Sequence, residues 1–351
     1  WFRPKGNYGD WEQHGTPRGC GGNGGLGVTQ SLVDAFFMED GTEPILGYNA
    51  DGSPKINPNA PLYSEKGFST KPEYRATDYY LMDGYNDSNY PDVTPERDGK
   101  RLIVQPNTFN MYCHREPRFY LTVVWNGQWF KWENRNTNFL YGQPDGGPTH
   151  DAPHLNRSRV SLDYIPRDNN HPYRPAIIFR MAEAYLSYAE ALNESSERMS
   201  HKQEILDNLN KIRHRAGIAE YGTGTDENGF TRIKINFSDQ KEVRRLIHKE
   251  RRVEFVGEGV RYHDLRRWKT AHYGIGNLNE QGENPDWGVN GPDYGMNYYG
   301  TEYTDQGDNA FFKRTKYMDR VYPRKFYWYP IHQSEIDKDP TLVQGPFWLG
   351  E

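Results

Sequence analysis

The chain of 351 residues is long enough for one large domain or two ordinary ones. Only 35% of residues are hydrophobic and the mean hydropathy is −0.99, yet 15% are aromatic, which excludes a disordered chain and predicts a folded, loop-rich protein with many partly exposed rings. A net charge of −5 excludes a nucleic-acid partner, and no apolar run is long enough to span a bilayer.

The chain opens on WFRPKGNYGDWEQHG, where Trp1, Tyr8 and Trp11 follow neither a helical nor a strand period and read as rings carried by a loop. Because position 1 is Trp rather than Met, the natural chain is expected to extend upstream. GCGGNGGLG lacks the Lys-Ser/Thr of a phosphate loop and reads as a flexible turn. Cys20 and Cys113 are the only cysteines; they allow one disulfide or two inert thiols, without the paired Cys/His spacing of a zinc site. DGSPKINPN and DNNHPYRP carry oxygen donors that could hold a structural calcium, although neither fits an EF-hand, and no other cofactor is expected. His150 and His154 stand in a loop with no completing ligand. RFYLTVVWNGQWFKW predicts a hairpin turning at Asn126-Gly127, with Trp125 and Trp129 on one face and Trp132 on the other.

The character changes at residue 176. IIFRMAEAYLSYAEALNES predicts a helix with Met181, Tyr185, Tyr188 and Leu192 on its apolar face, and KQEILDNLNKIRHRAGI a second with Ile205, Leu209, Ile212 and Ala216, capped by Gly217. Joined by a short polar turn, they form a pair of the tetratricopeptide kind that needs neighbours to bury its apolar faces. A third helix starts at an N-cap, Ser238, and carries Val243, Leu246, Ile247, Val253 and Phe255; VRYHDLRRWKT follows as a short fourth. Residues 274–310 read as a long loop, and Ser334–Asp337 as a helical turn in an irregular C-terminal segment.

Five segments in order, GLGVTQSLVDAFFMEDG, FRMAEAYLSYAEALNE, LNKIRHRAGI, ERRVEFVGEGVRYHDLRRW and WYPIHQSEIDKDPTLVQGPFW, resemble the SusD/RagB family of Bacteroidetes outer-membrane lipoproteins. The resemblance implies a mostly α fold with irregular loops and short β-hairpins, tetratricopeptide-type helices packing against a loop-rich lobe. Residues 1–175 would form the ligand-binding lobe and 176–351 the helical region, the chain matching the family's central and C-terminal portion. It also implies a surface-exposed glycan-binding protein that delivers oligosaccharide to a SusC-like TonB-dependent transporter. The lipid anchor would lie outside this chain. A RagB-type member would take a peptide instead.

Glu250, Glu254 and Glu258 share a helix face, and Arg251, Arg252, Arg261, Arg266 and Arg267 are ready counter-ions, so this signature reads as a charged helix surface of the scaffold rather than a catalytic cleft. The remaining enzymatic reading is a glycoside hydrolase using Asp145 and Glu133. A non-enzymatic binding protein is the preferred reading. Sugars pair apolar C–H faces with hydroxyls, so a ring flanked by amides is the expected receptor; the aromatic candidates are Tyr8, Trp11, Trp1, Trp129 and Trp132.

Overall fold

Good helix formers at Met181–Glu194 and Lys202–Ala216 fold as predicted, into two members of a set of eight described helices. In chain order these are α1 (Gly9–Gly15), α2 (Gln30–Ala35), α3 (Pro117–Thr122), α4 (Met181–Glu194), α5 (Lys202–Ala216), α6 (Gln240–Glu254), α7 (Val260–Arg267) and α8 (Gln333–Lys338). The computed structural model describes residues 2–6, 9–49, 51–147, 152–161, 165–168, 174–274 and 289–349. Short antiparallel ribbons lie between the helices: Phe2–Gly6 with Arg174–Ile177, Val123–Val124 with Leu155–Asn156, Trp129–Phe130 with Arg135–Asn136, and Ile45–Tyr48 with Pro54–Ile56. Gly291–Met296 pairs with Arg314–Arg320, and Lys100–Val104 is the middle strand of a three-stranded sheet.

Helices α4, α5 and α6 bury Leu186, Ala189, Ile205, Leu209, Ile212, Val243 and Ile247 in one core. Gly217 takes φ 70° and closes α5, its N–H bonded to the carbonyl of His214, which its missing Cβ permits. Two details differ from expectation. The N-cap of α6 is Asp239, whose carboxylate accepts from the N–H of Lys241 and Glu242, one residue beyond Ser238. The buried face of α4 is Ala182, Leu186, Ala189 and Asn193, while Met181 and Tyr188 are exposed. Small residues let α5 and α6 approach closely, so the alanines mark the packed face and the larger apolar side chains stay outside it.

A larger core gathers the aromatics. Tyr112, Phe119 and Trp125 are fully buried, with ring centroids 5.7 Å apart for Phe119–Trp125 and 6.3 Å for Tyr112–Phe119. Ala216, Ile218, Val253, Met296, Phe311 and Phe312 join it from beyond residue 175. Fully burying such rings stabilises by about 1.5–3 kcal/mol each, so the buried aromatics are a main source of this core's stability.

The hairpin at Asn126-Gly127 forms differently from expectation. The turn is present, with Gly127 at φ 90° and Gln128 N–H bonded to the Trp125 carbonyl at 3.3 Å. Its two arms pair elsewhere: Val123–Val124 with Leu155–Asn156, and Trp129–Phe130 with Arg135–Asn136. Pro117 at the helix start pre-sets the backbone that turns residues 117–122 into α3 instead of a strand. The predicted loop 274–310 is likewise broken by the strand Gly291–Met296, which has no β-branched residue and owes its conformation to its partner. Cys20 and Cys113 are buried free thiols, both pushed above the usual thiol range by burial.

Candidate functional site

The Arg-rich signature is a buried brace. Glu250 accepts from Arg213 at 2.5 Å and from Arg118 at 3.3 Å, and the side chains of Glu250 and Arg213 are wholly buried. Glu254 accepts from Arg118 at 3.2 Å and also pairs with Arg180 and Arg215; Glu258 accepts from Arg180 at 2.9 Å. Asp264 is forked by Arg251 at 2.9 and 3.0 Å and by Arg267 at 2.8 Å. Glu190 takes Arg267 at 2.5 Å and the Trp268 indole at 2.8 Å. The expectation of a charged helix surface is thus corrected: the counter-ions come largely from α3, α5 and the entry to α4, and the charges face inward. Against the effect of burial, Arg118, Arg180 and Arg215 hold the Glu254 carboxyl below the usual range, and His248 together with Arg267 does so for Glu190.

Asp145 is 1% exposed, with both oxygens occupied by Arg135 at 2.7 and 3.0 Å and by the Asn138 N–H at 2.7 Å. It is withheld from any substrate, which removes it as half of a catalytic pair with Glu133. Glu39, Glu73 and His114 bring ligand atoms within 4.8 Å of one another, but the guanidinium of Arg75 stands 2.5 Å from Glu39 and 3.5 Å from Glu73. That grouping already holds a cation and reads as an ion-pair cluster. Asp51 spends its carboxylate on Ser53, at 3.0 Å to the N–H and 2.6 Å to the hydroxyl. His154 is buried and bonded through Nε2 to the Tyr112 hydroxyl at 2.7 Å, so it is no metal ligand; His150 lies outside the described residues.

Of the aromatic candidates, Trp1 and Tyr8 lie outside the described residues. Trp11 is half-buried on α1 under the guanidinium of Arg159, 5.1 Å from its ring, and close against Gly257. Trp129 is buried, its indole N–H donating to the Asp83 carbonyl at 3.2 Å and its ring set edge-on to Tyr85; a core position replaces the expected ligand platform. Trp132 is half-buried in the turn after Trp129–Phe130, with the Lys131 ammonium 4.3 Å over its ring.

What gathers beside this ribbon is a cleft of about 470 Å³ that the aromatic reading missed. Gln105 and Asn107 leave the middle strand of the three-stranded sheet to form its floor, and Asn136 and Asn138 come from the ribbon's second arm. Asp87, Asn89 and Tyr90 enter from a turn in which Asp87 Oδ1 accepts from the Asn89 N–H and side-chain amide, both at 2.9 Å. Tyr303 closes the far side, held by Phe68 and Phe312 at 5.3 and 4.8 Å and by its hydroxyl, which donates to the Asn107 carbonyl at 3.0 Å. Burial pushes that hydroxyl above the usual phenol range, so it stays a neutral donor. Gly127 is required here twice: its φ is positive, and a Cβ would collide with the Tyr303 hydroxyl.

Gln105 donates to the Gly127 carbonyl at 2.8 Å, but its Oε1 is buried without a hydrogen-bond partner, as is Asn136 Oδ1. Amides both donate and accept, which matches a hydroxyl, and among the described residues Asp87 is the one carboxylate that lines the cleft. It therefore suits a neutral, hydroxyl-rich ligand and disfavours an anion. Another cleft, near α3 and α6 and about 550 Å³, is lined by Arg118, Arg180 and Arg215, which Glu254 already engages. NDSNY, QPN and NRNTN are the sequence traces of the amide cleft, yet only the fold brings such distant loops together.

A family model described as the SusD family matches residues 1–348. SusD-like protein P25 from Formosa agariphila is 32% identical over 109 residues, 31% of this chain and 18% of that protein. SusD-like protein P38 from the same organism is 32% identical over 103 residues, 29% and 19% of the two chains. A solved SusD-like protein from Bacteroides fragilis superposes with a TM-score of 0.54 and 25% identity, covering 93% of this chain and 48% of its own. A SusD-like carbohydrate binding protein from that species shares the fold at a TM-score of 0.54 and 20% identity, over 95% and 51%. The chain spans about half the length of these solved relatives.

Proposed function

The chain belongs to the SusD family, and on that premise we propose that it is a non-enzymatic, cell-surface protein that captures a neutral oligosaccharide in the amide cleft. The observation that carries this reading is the lining itself: amides from three separate segments and a fixed tyrosine around one cleft. A sugar hydroxyl can donate to and accept from the accessible amides of the lining, Asn89, Asn107 and Asn138. A relative of this fold is described as carbohydrate binding, which points the same way. Residues 1–175 would serve as the ligand lobe and 176–351 as the helical scaffold, with Tyr303 contributed across that line. Trp132, on the turn of the same ribbon, is an outer contact of the proposed site. Delivery to a TonB-dependent outer-membrane transporter, from a lipid-anchored position, completes the proposal and follows from the family resemblance. No described helix is long and apolar enough to cross a membrane itself.

The test is isothermal titration of the protein and its Asn138→Ala variant against neutral oligosaccharides. Asn138 is half-buried at the rim, so the fold should survive, and losing one amide should weaken binding by roughly tenfold. Unchanged affinity in the variant, or tight binding of peptides in place of sugars, would refute the assignment.

A further inference from the structure

A third cleft, of about 730 Å³, lies against α5 and shares no lining residue with the amide cleft. One wall is the face of α5 on which Gln203, Leu206, Asn210 and His214 recur three or four positions apart. The other is the segment 220–237, which folds back along that helix. Asn210 ties the walls together: its amide donates to the Tyr221 carbonyl at 2.9 Å and its oxygen accepts from the Tyr221 N–H at 2.8 Å. Within the segment, Gly222 N–H donates to the Ile233 carbonyl at 2.8 Å and Ile233 N–H to the Glu220 carbonyl at 2.9 Å. Asp226 fixes the intervening turn by accepting from the N–H groups of Asn228 and Phe230 at 3.0 and 2.9 Å. The cleft is thus built by contacts that do not use its lysines.

The charge of this cleft runs against the chain's net charge of −5. Lys202, Lys211, Lys234 and Arg232 line it, together with three carboxylates. Glu220 is spent: Arg232 donates to its Oε2 from Nε at 3.1 Å and from Nη2 at 2.8 Å, and His214 stands 3.4 Å from its other oxygen. Asp207 accepts from the Gln203 amide at 2.7 Å, and Glu227 is exposed. The three ammoniums have no carboxylate partner among the described residues. Lys202 instead stands 5.0 Å over the Phe237 ring and Lys211 4.5 Å over the Tyr185 ring, although Asp207 lies one helical turn from Lys211. A ring face orients an ammonium without neutralising it.

We propose that this cleft binds an organic oxyanion, a soluble molecule carrying carboxylate, sulfate or phosphate groups, with Lys202, Lys211 and Lys234 as its cationic contacts. The volume far exceeds a bare ion and falls in the range of small-molecule sites, so the charged groups sit on a larger scaffold. Leu206 and Ile235 are there to meet its apolar parts. An ammonium is a point charge with three donors, so the site selects for negative charge and not for one oxyanion geometry. This inference is independent of the oligosaccharide reading of the amide cleft.

The experiment is isothermal titration at low ionic strength with two probes, inositol hexakisphosphate and trigalacturonate. The wild type should bind at least one of them, with affinity falling as salt is raised. Lys202→Gln and Lys234→Gln should each weaken that binding by about fivefold, and the double variant by more than tenfold. Lys100→Gln, at an exposed lysine outside the cleft, should change nothing. Any binding of galactotriose, the uncharged counterpart of trigalacturonate, should be indifferent to all of these variants. Equal losses in Lys100→Gln would assign the binding to overall charge and overturn the site. Full affinity in the double variant would place the anion elsewhere and overturn it too. No affinity for either probe, or adsorption only to vesicles containing phosphatidylglycerol, would do the same. The substituted lysines are exposed, and unchanged thermal midpoints separate these outcomes from misfolding.

Discussion

The brace around α6 and the cleft around Gly127 solve opposite problems with polar side chains. In the brace, Glu250, Glu254 and Asp264 are each met by two or more guanidinium nitrogens, and the charges turn inward. In the cleft, uncharged amides carry the polarity, and those of Asn89 and Asn107 stand exposed. Saturated charge holds elements together and has nothing left to offer a ligand. Unsaturated neutral amides hold little together and can be completed by hydroxyls. Density of charged residues in the sequence therefore pointed at scaffold, and density of asparagine at the candidate site.

The sharpest way to break that contrast is to unpair the brace. Glu250→Ala leaves Arg213 buried beside its remaining carbonyl partners, Ala219 and Gly41, without a counter-charge. Removing one partner of a buried pair costs about 3–5 kcal/mol. Urea denaturation should show that loss, while the folded fraction binds oligosaccharide as wild type does. A variant with unchanged midpoint would mean that the brace is dispensable; one that folds normally but loses binding would erase the division between scaffold and site.

How much of this was legible follows from which contacts are local. Gly217, the α5 stripe and the α6 core positions are read from spacing within one helix, and the structure has them there. The face of α4 was misjudged because size, not hydrophobicity alone, selects what two close helices can bury, and Ala182 and Ala189 give no hydropathy signal of that. Residues 117–124 failed as a hairpin arm because their strand partner, Leu155–Asn156, lies some thirty positions on and is itself two residues long. The cleft was missed for the same reason in stronger form. Asn89, Asn107, Asn138 and Tyr303 have no common period, and Trp129, the eye-catching ring between them, turned out to be core.

The loop-rich region also contains a group kept neutral chiefly by burial, which gives a smaller test. His154 is fully buried and its value falls to about 3, chiefly through desolvation, with Asp34 opposing and Arg314 reinforcing the shift. Between pH 6.5 and 3 the unfolded chain takes up a proton that the folded chain refuses. Stability should therefore drop as pH falls through that window, by up to about 1.4 kcal/mol per pH unit, and be flat in this respect above it. Carboxylates such as Glu254, whose values are lowered, lose stability at more acid pH, whereas Glu73 and Glu116, raised by burial, oppose the trend, so the histidine is read from the difference between wild type and a variant that lacks it. Urea midpoints of His154→Gln across this interval should decline less steeply than wild type. Parallel declines would show that the imidazole is protonated in the fold after all.

The smallest expected effect concerns Trp132, and it sharpens what an aromatic must have to act as a platform. Its ring shares the Lys131 ammonium with Tyr80, at 4.3 and 4.6 Å, so one face is already engaged in a cation–π contact. If a free face is what sugar stacking needs, Trp132→Ala should lower oligosaccharide affinity by about twofold or less, well below the roughly tenfold loss expected for Asn138→Ala. Titration of the two variants against the same hexasaccharide makes the comparison direct. A larger loss at Trp132 would mean that the ammonium moves aside when ligand arrives, and that ring size outweighs the free face in choosing the platform.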